Sequence, residues 1–140
     1  MAPTSDTAWT LRCDGGSRGN PGPGALGFVL CDARGREVEA RGEYLGVVTN
    51  NVAEYQALIF GLRAAAAHGV QRLVVRMDSE LVVRQMLGQY RVKNAGLQPL
   101  HAEAKQAAAK IGDVRYESVP RDDNHRADAL VNEALDQARS

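Results

Sequence analysis

Trp9, Leu11 and Cys13 alternate with Thr10, Arg12 and Asp14, the period of two that a half-buried strand requires. A dense turn signal follows at 15–24, GGSRGNPGPG. Its glycines and prolines predict a wide loop whose backbone can approach a ligand closely. Residues 25–31 are an unbroken apolar run and predict a second strand. A polar turn at 32–35 separates it from a loosely alternating third strand over 38–48. Two hairpins in succession predict an antiparallel meander.

The period then changes. Ala53, Ala57, Leu58, Phe60, Gly61, Leu62, Ala64 and Ala65 recur at helical spacing, from a cap at Thr49 or Asn50 to a stop at Gly69. A short apolar segment over 72–77 predicts a fourth strand. Ser79 is placed to cap a helix over 80–87 that Gly88 ends. A third helix is expected over 97–110, with Pro99 in the first turn, where its missing N–H costs nothing. A fifth strand over 114–119 and a last helix from a cap at Asn124 through 138 complete the order βββαβααβα. The fold class is α/β: a five-stranded mixed sheet, an antiparallel meander plus two parallel strands, flanked by helices. Residues 1–7 read as a disordered lead and 8–140 as one domain.

Lys+Arg and Asp+Glu are equal at 17 each in a chain of 140 residues, which excludes a polybasic coat but not a duplex-binding face. With 44% hydrophobic and 24% charged residues, the composition is that of a globular chain rather than a disordered one. No apolar run approaches a membrane span and the start carries no secretory signal. The two cysteines, Cys13 and Cys31, therefore read as reduced, packed thiols in a cytoplasmic protein, with a hairpin disulfide as the alternative. They and three scattered histidines offer no zinc spacing.

Four carboxylates are distinguished by position. Asp14 ends the first strand, Glu54 lies in the first turn of the first helix, Asp78 ends the fourth strand, and Asp128 lies in the first turn of the last helix. In an open α/β sheet such ends gather along one edge, where ligands bind. Singly, each suits a helix dipole or a turn. Together they would repel one another unless cations intervened. Hard divalent ions such as Mg2+ or Mn2+ take oxygen ligands, and a pair of them clamps the attacking and leaving oxygens of a phosphoryl displacement. The stretch at 22–27, GPGALG, matches a dinucleotide fingerprint, but strand rather than helix follows it, so that reading is set aside.

The blocks DGGSRGNPGPG at 14–24, TNNVAEY at 49–55, MDS at 77–79 and NHRADAL at 124–130 resemble type 1 ribonuclease H, in the order that family requires. The short segment over 89–99, with only Arg91 and Lys93 as basic residues, is similar to that of the family's compact subgroup, which lacks both the basic protrusion after the second helix and a separate hybrid-binding module. The resemblance implies a ribonuclease H-like fold and an endonuclease that hydrolyses the RNA strand of RNA–DNA hybrids, leaving 5′-phosphate and 3′-hydroxyl ends. It implies Asp14, Glu54, Asp78 and Asp128 as catalytic residues and as ligands of two Mg2+ ions, with Mn2+ as the alternative.

For the substrate, Gly15, Gly16 and Ser17 are small enough to approach 2′-hydroxyls in the hybrid's wide minor groove. Asn20, Asn50 and Asn51 carry amides that donate and accept there. Thr49 and Asn94 match positions that grip a DNA-strand phosphate. Some members carry a histidine in the loop before the last carboxylate; here Arg121 is the stand-in, since His125 follows the loop. His68 and His101 read as surface residues. The implied partner is the hybrid duplex, with no membrane and no obligatory protein partner, the chain acting as a monomer. A non-catalytic hybrid binder and a nuclease of the same fold with another substrate are the rival readings.

Overall fold

The computed structural model describes residues 7–139. Of the lead expected over 1–7, only Thr7 falls among the described residues. Strands β1 (Trp9–Ser17), β2 (Gly22–Cys31) and β3 (Glu37–Val48) precede helix α1 (Asn50–Ala67). Then come β4 (Arg72–Met77), α2 (Glu80–Met86), α3 (Gln98–Ile111), β5 (Asp113–Ser118), a 3-10 turn (Arg121–Asn124) and α4 (His125–Ala138). The sheet order is β3-β2-β1-β4-β5. The first three strands pair antiparallel, while β1 with β4 and β4 with β5 pair parallel. The predicted element order and mixed sheet are both present.

Strand β2 is the hinge of the packing. Leu26, Phe28 and Leu30 face the main core with Leu58, Ile59 and Leu62 of α1, while Ala25 joins Val131, Ala134 and Leu135 of α4 in a smaller cluster. Because β2 is covered on both faces, its sequence is an apolar run rather than an alternation. Gly27 faces α4: a Cβ there would fall 2.5 Å from the Ala127 carbonyl oxygen. The missing side chain lets α4 lie directly on the sheet.

Several expectations are corrected. The wide glycine loop is mostly ladder: β1 runs on through Gly15, Gly16 and Ser17, which pair with Leu26, Ala25 and Gly24. Only Arg18–Pro21 turns, because cross-strand pairing outweighs local turn preference. Asp14 therefore lies inside β1 rather than at its end. Glu54 is not in the first turn of α1, which starts at Asn50, so helix-dipole stabilisation does not explain it. The 119–124 loop contains a 3-10 turn. Asn124 sits at the N-cap position of α4, yet its side chain makes no cap bond. His101 is half-buried rather than on the surface: its ring lies edge-on to Tyr55 and its Nε2 is 3.2 Å from the Gln85 carbonyl oxygen. Thr49 does cap α1, accepting from the Val52 N–H. Cys13 and Cys31 are both free, Cys13 being buried. Among the described residues no helix is long and apolar enough to cross a membrane.

Candidate active site

Asp14 stands where the sheet changes partners. Parallel pairing of β1 with β4 stops at Cys13 and Met77, while antiparallel pairing with β2 continues to Ser17. Asp78 is the next residue after Met77, so adjacent parallel strands deliver two carboxylates side by side. A third arrives from α1. A Cβ on Gly15 would collide with the Ala53 carbonyl and the Glu54 amide. Glycine thus allows the helix backbone to touch the strand, and Glu54 comes down beside Asp14. One carboxylate oxygen from each of Asp14, Glu54 and Asp78 lies within 4.8 Å of the other two.

Asp128 enters from the opposite side of the sheet, in the first turn of α4. It shares a hydrogen bond with Asp14, which needs a proton between the two carboxyl groups. All four line one cleft of about 380 Å3, together with Gly15, Gly16, Ser17, Asn50, Asn51 and Arg121. Arg121 Nη2 is 3.8 Å from Asp128 Oδ1, and its side chain is otherwise exposed.

Crowding like charges in a partly dry cleft shifts their protonation. Burial raises Asp14 to about 8; the Asp78 charge, the hydrogen bond to Asp128 and the charges of Glu54 and Asp128 act in the same direction. Burial likewise raises Glu54 to about 7, assisted by Asp78 and opposed by a hydrogen bond from Ser79. Ser79 was legible in the sequence only as the cap of α2, whose Val82 N–H it does accept; its contact with Glu54 is a second role. Hard oxygen donors at this separation fit a divalent cation, whose charge offsets the repulsion that the protein alone leaves in place.

The sign of the pH dependence follows. Asp14 ordinarily titrates near 3.8 and Glu54 near 4.5, so between about pH 4 and pH 8 the folded chain holds protons that the unfolded chain releases. Stability from these groups is full below that window and is lost as pH rises through it. The metal-free wild type is expected to lose melting temperature relative to Asp14→Asn across this range. Added Mg2+ is expected to restore it most near pH 8. Thermal melts of both proteins, with and without the ion, check this; parallel pH curves would contradict it.

The amides expected to read the substrate are partly committed to the fold. Asn50 Oδ1 accepts from the Ser17 N–H at 2.8 Å, and Asn20 Oδ1 accepts from the Asn50 N–H at 3.1 Å. These two bonds lock the β1–β2 hairpin to the start of α1. They leave the NH2 groups of Asn20 and Asn50, not their oxygens, for a ligand. Asn51 lines the cleft, whereas Asn20, Thr49 and Asn94 lie outside it. Asn94 Oδ1 accepts from the Gly96 N–H at 2.7 Å, shaping the turn before α3. Asn124, read in the sequence only as a helix cap, instead turns its amide inward to the cluster. Its Nδ2 donates to Cys13 O at 2.7 Å and to Asp78 Oδ1 at 3.3 Å.

Comparison with known proteins adds a family. Residues 12–134 match the family described as "Reverse transcriptase-like". The chain is 45% identical over 129 residues to a bifunctional protein of Mycobacterium tuberculosis, an alignment covering 91% of this chain and 35% of that protein. It is 45% identical over 125 residues to a ribonuclease HI of Halobacterium salinarum, covering 89% of this chain and 63% of the relative. The chain thus spans about a third of the mycobacterial protein's length and under two thirds of the halobacterial one's. Among solved structures, LC11-RNase H1 in complex with an RNA/DNA hybrid superposes with a TM-score of 0.89 at 42% identity, covering 94% of this chain and 99% of that one.

Proposed function

The chain belongs to the reverse transcriptase-like family that includes ribonuclease HI, and from that premise we propose that it is an endonuclease that hydrolyses the RNA strand of RNA–DNA hybrids. The observation that carries this is the approach of Asp14, Glu54 and Asp78 to within 4.8 Å of one another. A protein that merely held a polyanion would gain nothing from aiming three carboxylates at it.

In this reading Asp14, Glu54, Asp78 and Asp128 are the catalytic residues and hold two Mg2+ ions, with Mn2+ as the alternative, when substrate is present. Such ions would polarise the phosphoryl oxygens and lower the pKa of a bound water, so that hydroxide would be available to attack phosphorus. Asp14 is shared by the whole cluster, having Glu54 and Asp78 on one side and Asp128 on the other. Glu54, steadied by Ser79, faces the RNA sugar. Asp128 and Arg121 form the outer wall, where the guanidinium can receive the departing phosphate. The ends produced are 5′-phosphate and 3′-hydroxyl.

Gly15, Gly16 and Ser17 form a side-chain-poor strip beside the carboxylates. Together with the amides of Asn20, Asn50 and Asn51 it meets the minor groove, where only one strand of a hybrid carries 2′-hydroxyls. Thr49 and Asn94 take a phosphate of the DNA strand. The chain acts as a monomer. With only Arg91 and Lys93 in the segment before α3, phosphate contacts are few, so affinity falls with salt less steeply than for a strongly basic binder.

The test is strand choice. A hybrid labelled on both strands, incubated with Mg2+, is expected to lose its RNA strand and keep its DNA strand, and EDTA is expected to stop the loss. Comparable cutting of an all-DNA duplex, or cleavage undiminished by EDTA, would overturn the proposal.

A further inference from the structure

Asn124 is 1% exposed, and the way its amide is spent sets it apart from an ordinary helix cap. An asparagine at an N-cap normally uses its side-chain oxygen on an N–H of the first turn. This one makes no cap bond, and among the described residues its buried Oδ1 has no hydrogen-bond partner. Leaving a buried acceptor unpaired is a cost that a purely local role would avoid. What the side chain gains lies on the other side: its Nδ2 donates to Cys13 O at 2.7 Å and to Asp78 Oδ1 at 3.3 Å. Cys13 precedes Asp14, and Asp128 follows Asn124 by one helical turn. A single amide therefore joins β1, the end of β4 and the start of α4, three of the four elements that bear the carboxylates.

The segment around it is stitched in the same sense. Arg12 Nη1 donates to Asp123 O at 2.7 Å, and the Val119 N–H donates to Met77 O at 2.8 Å. These bonds fix the backbone of the turn, whereas the buried Asn124 amide reaches the Asp78 carboxylate.

We propose that Asn124 is a positioning residue for metal binding: it holds one oxygen of Asp78 by a hydrogen bond, so that the other faces the cluster, and it fixes the register of α4 that brings Asp128 against Asp14. An N–H donated to one oxygen of a carboxylate limits its rotation and keeps that oxygen from competing for the ion. The inference rests on the metal-dependent reading above and deepens it, by assigning a residue that touches neither ion nor substrate.

The experiment compares wild type with Asn124→Ala and Asn124→Ser in two assays. The first titrates Mg2+ alone into hybrid-free protein and follows the backbone amide NMR signals of Gly15 and Ser79. The second measures hybrid cleavage against Mg2+ concentration. For Asn124→Ala the Mg2+ midpoint is expected to rise about 10- to 100-fold in both assays. KM for the hybrid is expected to stay within about twofold, and high Mg2+ to restore part of kcat. Asn124→Ser keeps one donor and is expected to fall between the two; if the alanine variant does not fold, the serine variant carries the same comparison. A folded variant with an unchanged Mg2+ midpoint would overturn the inference, as would a loss confined to KM. Failure of the functional reading looks different: wild type would bind Mg2+ and lose affinity on substitution, but cleave no hybrid.

Discussion

Asp14→Asn is expected to lower hybrid cleavage by at least about a thousandfold, equivalent to roughly 4 kcal/mol of barrier, while the protein becomes more stable without metal. Both effects come from the same position. Asp14 is buried, lies within 4.8 Å of Glu54 and Asp78, and is hydrogen-bonded to Asp128. Asp14 interacts with all three of the other carboxylates, so its charge is the one the cluster can least replace. The loss should therefore exceed the roughly 10- to 100-fold that follows when a partner outside the coordination shell is removed. Without ions, however, that charge is a liability, since burial and three carboxylates oppose its ionisation. An amide of the same shape removes the repulsion and keeps the packing. Circular dichroism melts at pH 8 in EDTA should show a higher midpoint for the variant, and single-turnover cleavage with Mg2+ should show almost none. Near-normal turnover by the variant would refute the catalytic assignment. A lower melting point would refute the electrostatic account of the cleft.

Gly15→Ala is expected to damage stability and activity together. A methyl group here meets the backbone of Ala53 and Glu54, not the end of a flexible side chain, so the strand and α1 must separate. Overpacking of this kind costs about 1–3 kcal/mol. The displaced element carries Glu54, and a shift of about 1 Å in a reacting group can cost on the order of 100-fold in rate. Gly16→Ala is the control for stability, because nothing lies within 4 Å of a Cβ at that position. The melting temperature should fall by several degrees for Gly15→Ala and hardly at all for Gly16→Ala. A Gly15→Ala protein as stable and as active as wild type would show that α1 can move away from β1 without consequence, contrary to the close contact described.

The element order was legible because it is written in local patterns. The alternation at Trp9, Leu11 and Cys13 gave β1, the apolar run at 72–77 gave β4, and helical spacing between Thr49 and Gly69 gave α1. The four acidic positions could be picked out for the same reason, since each falls near the boundary of an element that its own neighbours predict. Glu54 was placed one turn too early, because the frame of a helix depends on its first hydrogen bond. Thr49 supplies the cap, and Glu54 is then past the first turn.

What the sequence determined by itself, then, is the order and type of the elements and which four acidic residues stand out near their expected boundaries, since periodicity, capping and turn chemistry act between residues a few positions apart. Tertiary structure alone decided that Gly15, Gly16 and Ser17 would be ladder rather than loop, because their partners lie on β2. It decided that Ser79 would reach Glu54, and that Asn124 would turn from its own helix to Cys13, 111 positions away. It also set the protonation of Asp14 and Glu54. Hydrogen-bond ladders, buried amides and shared charge join residues that no local pattern relates, and their energies exist only once the sheet has brought those residues together.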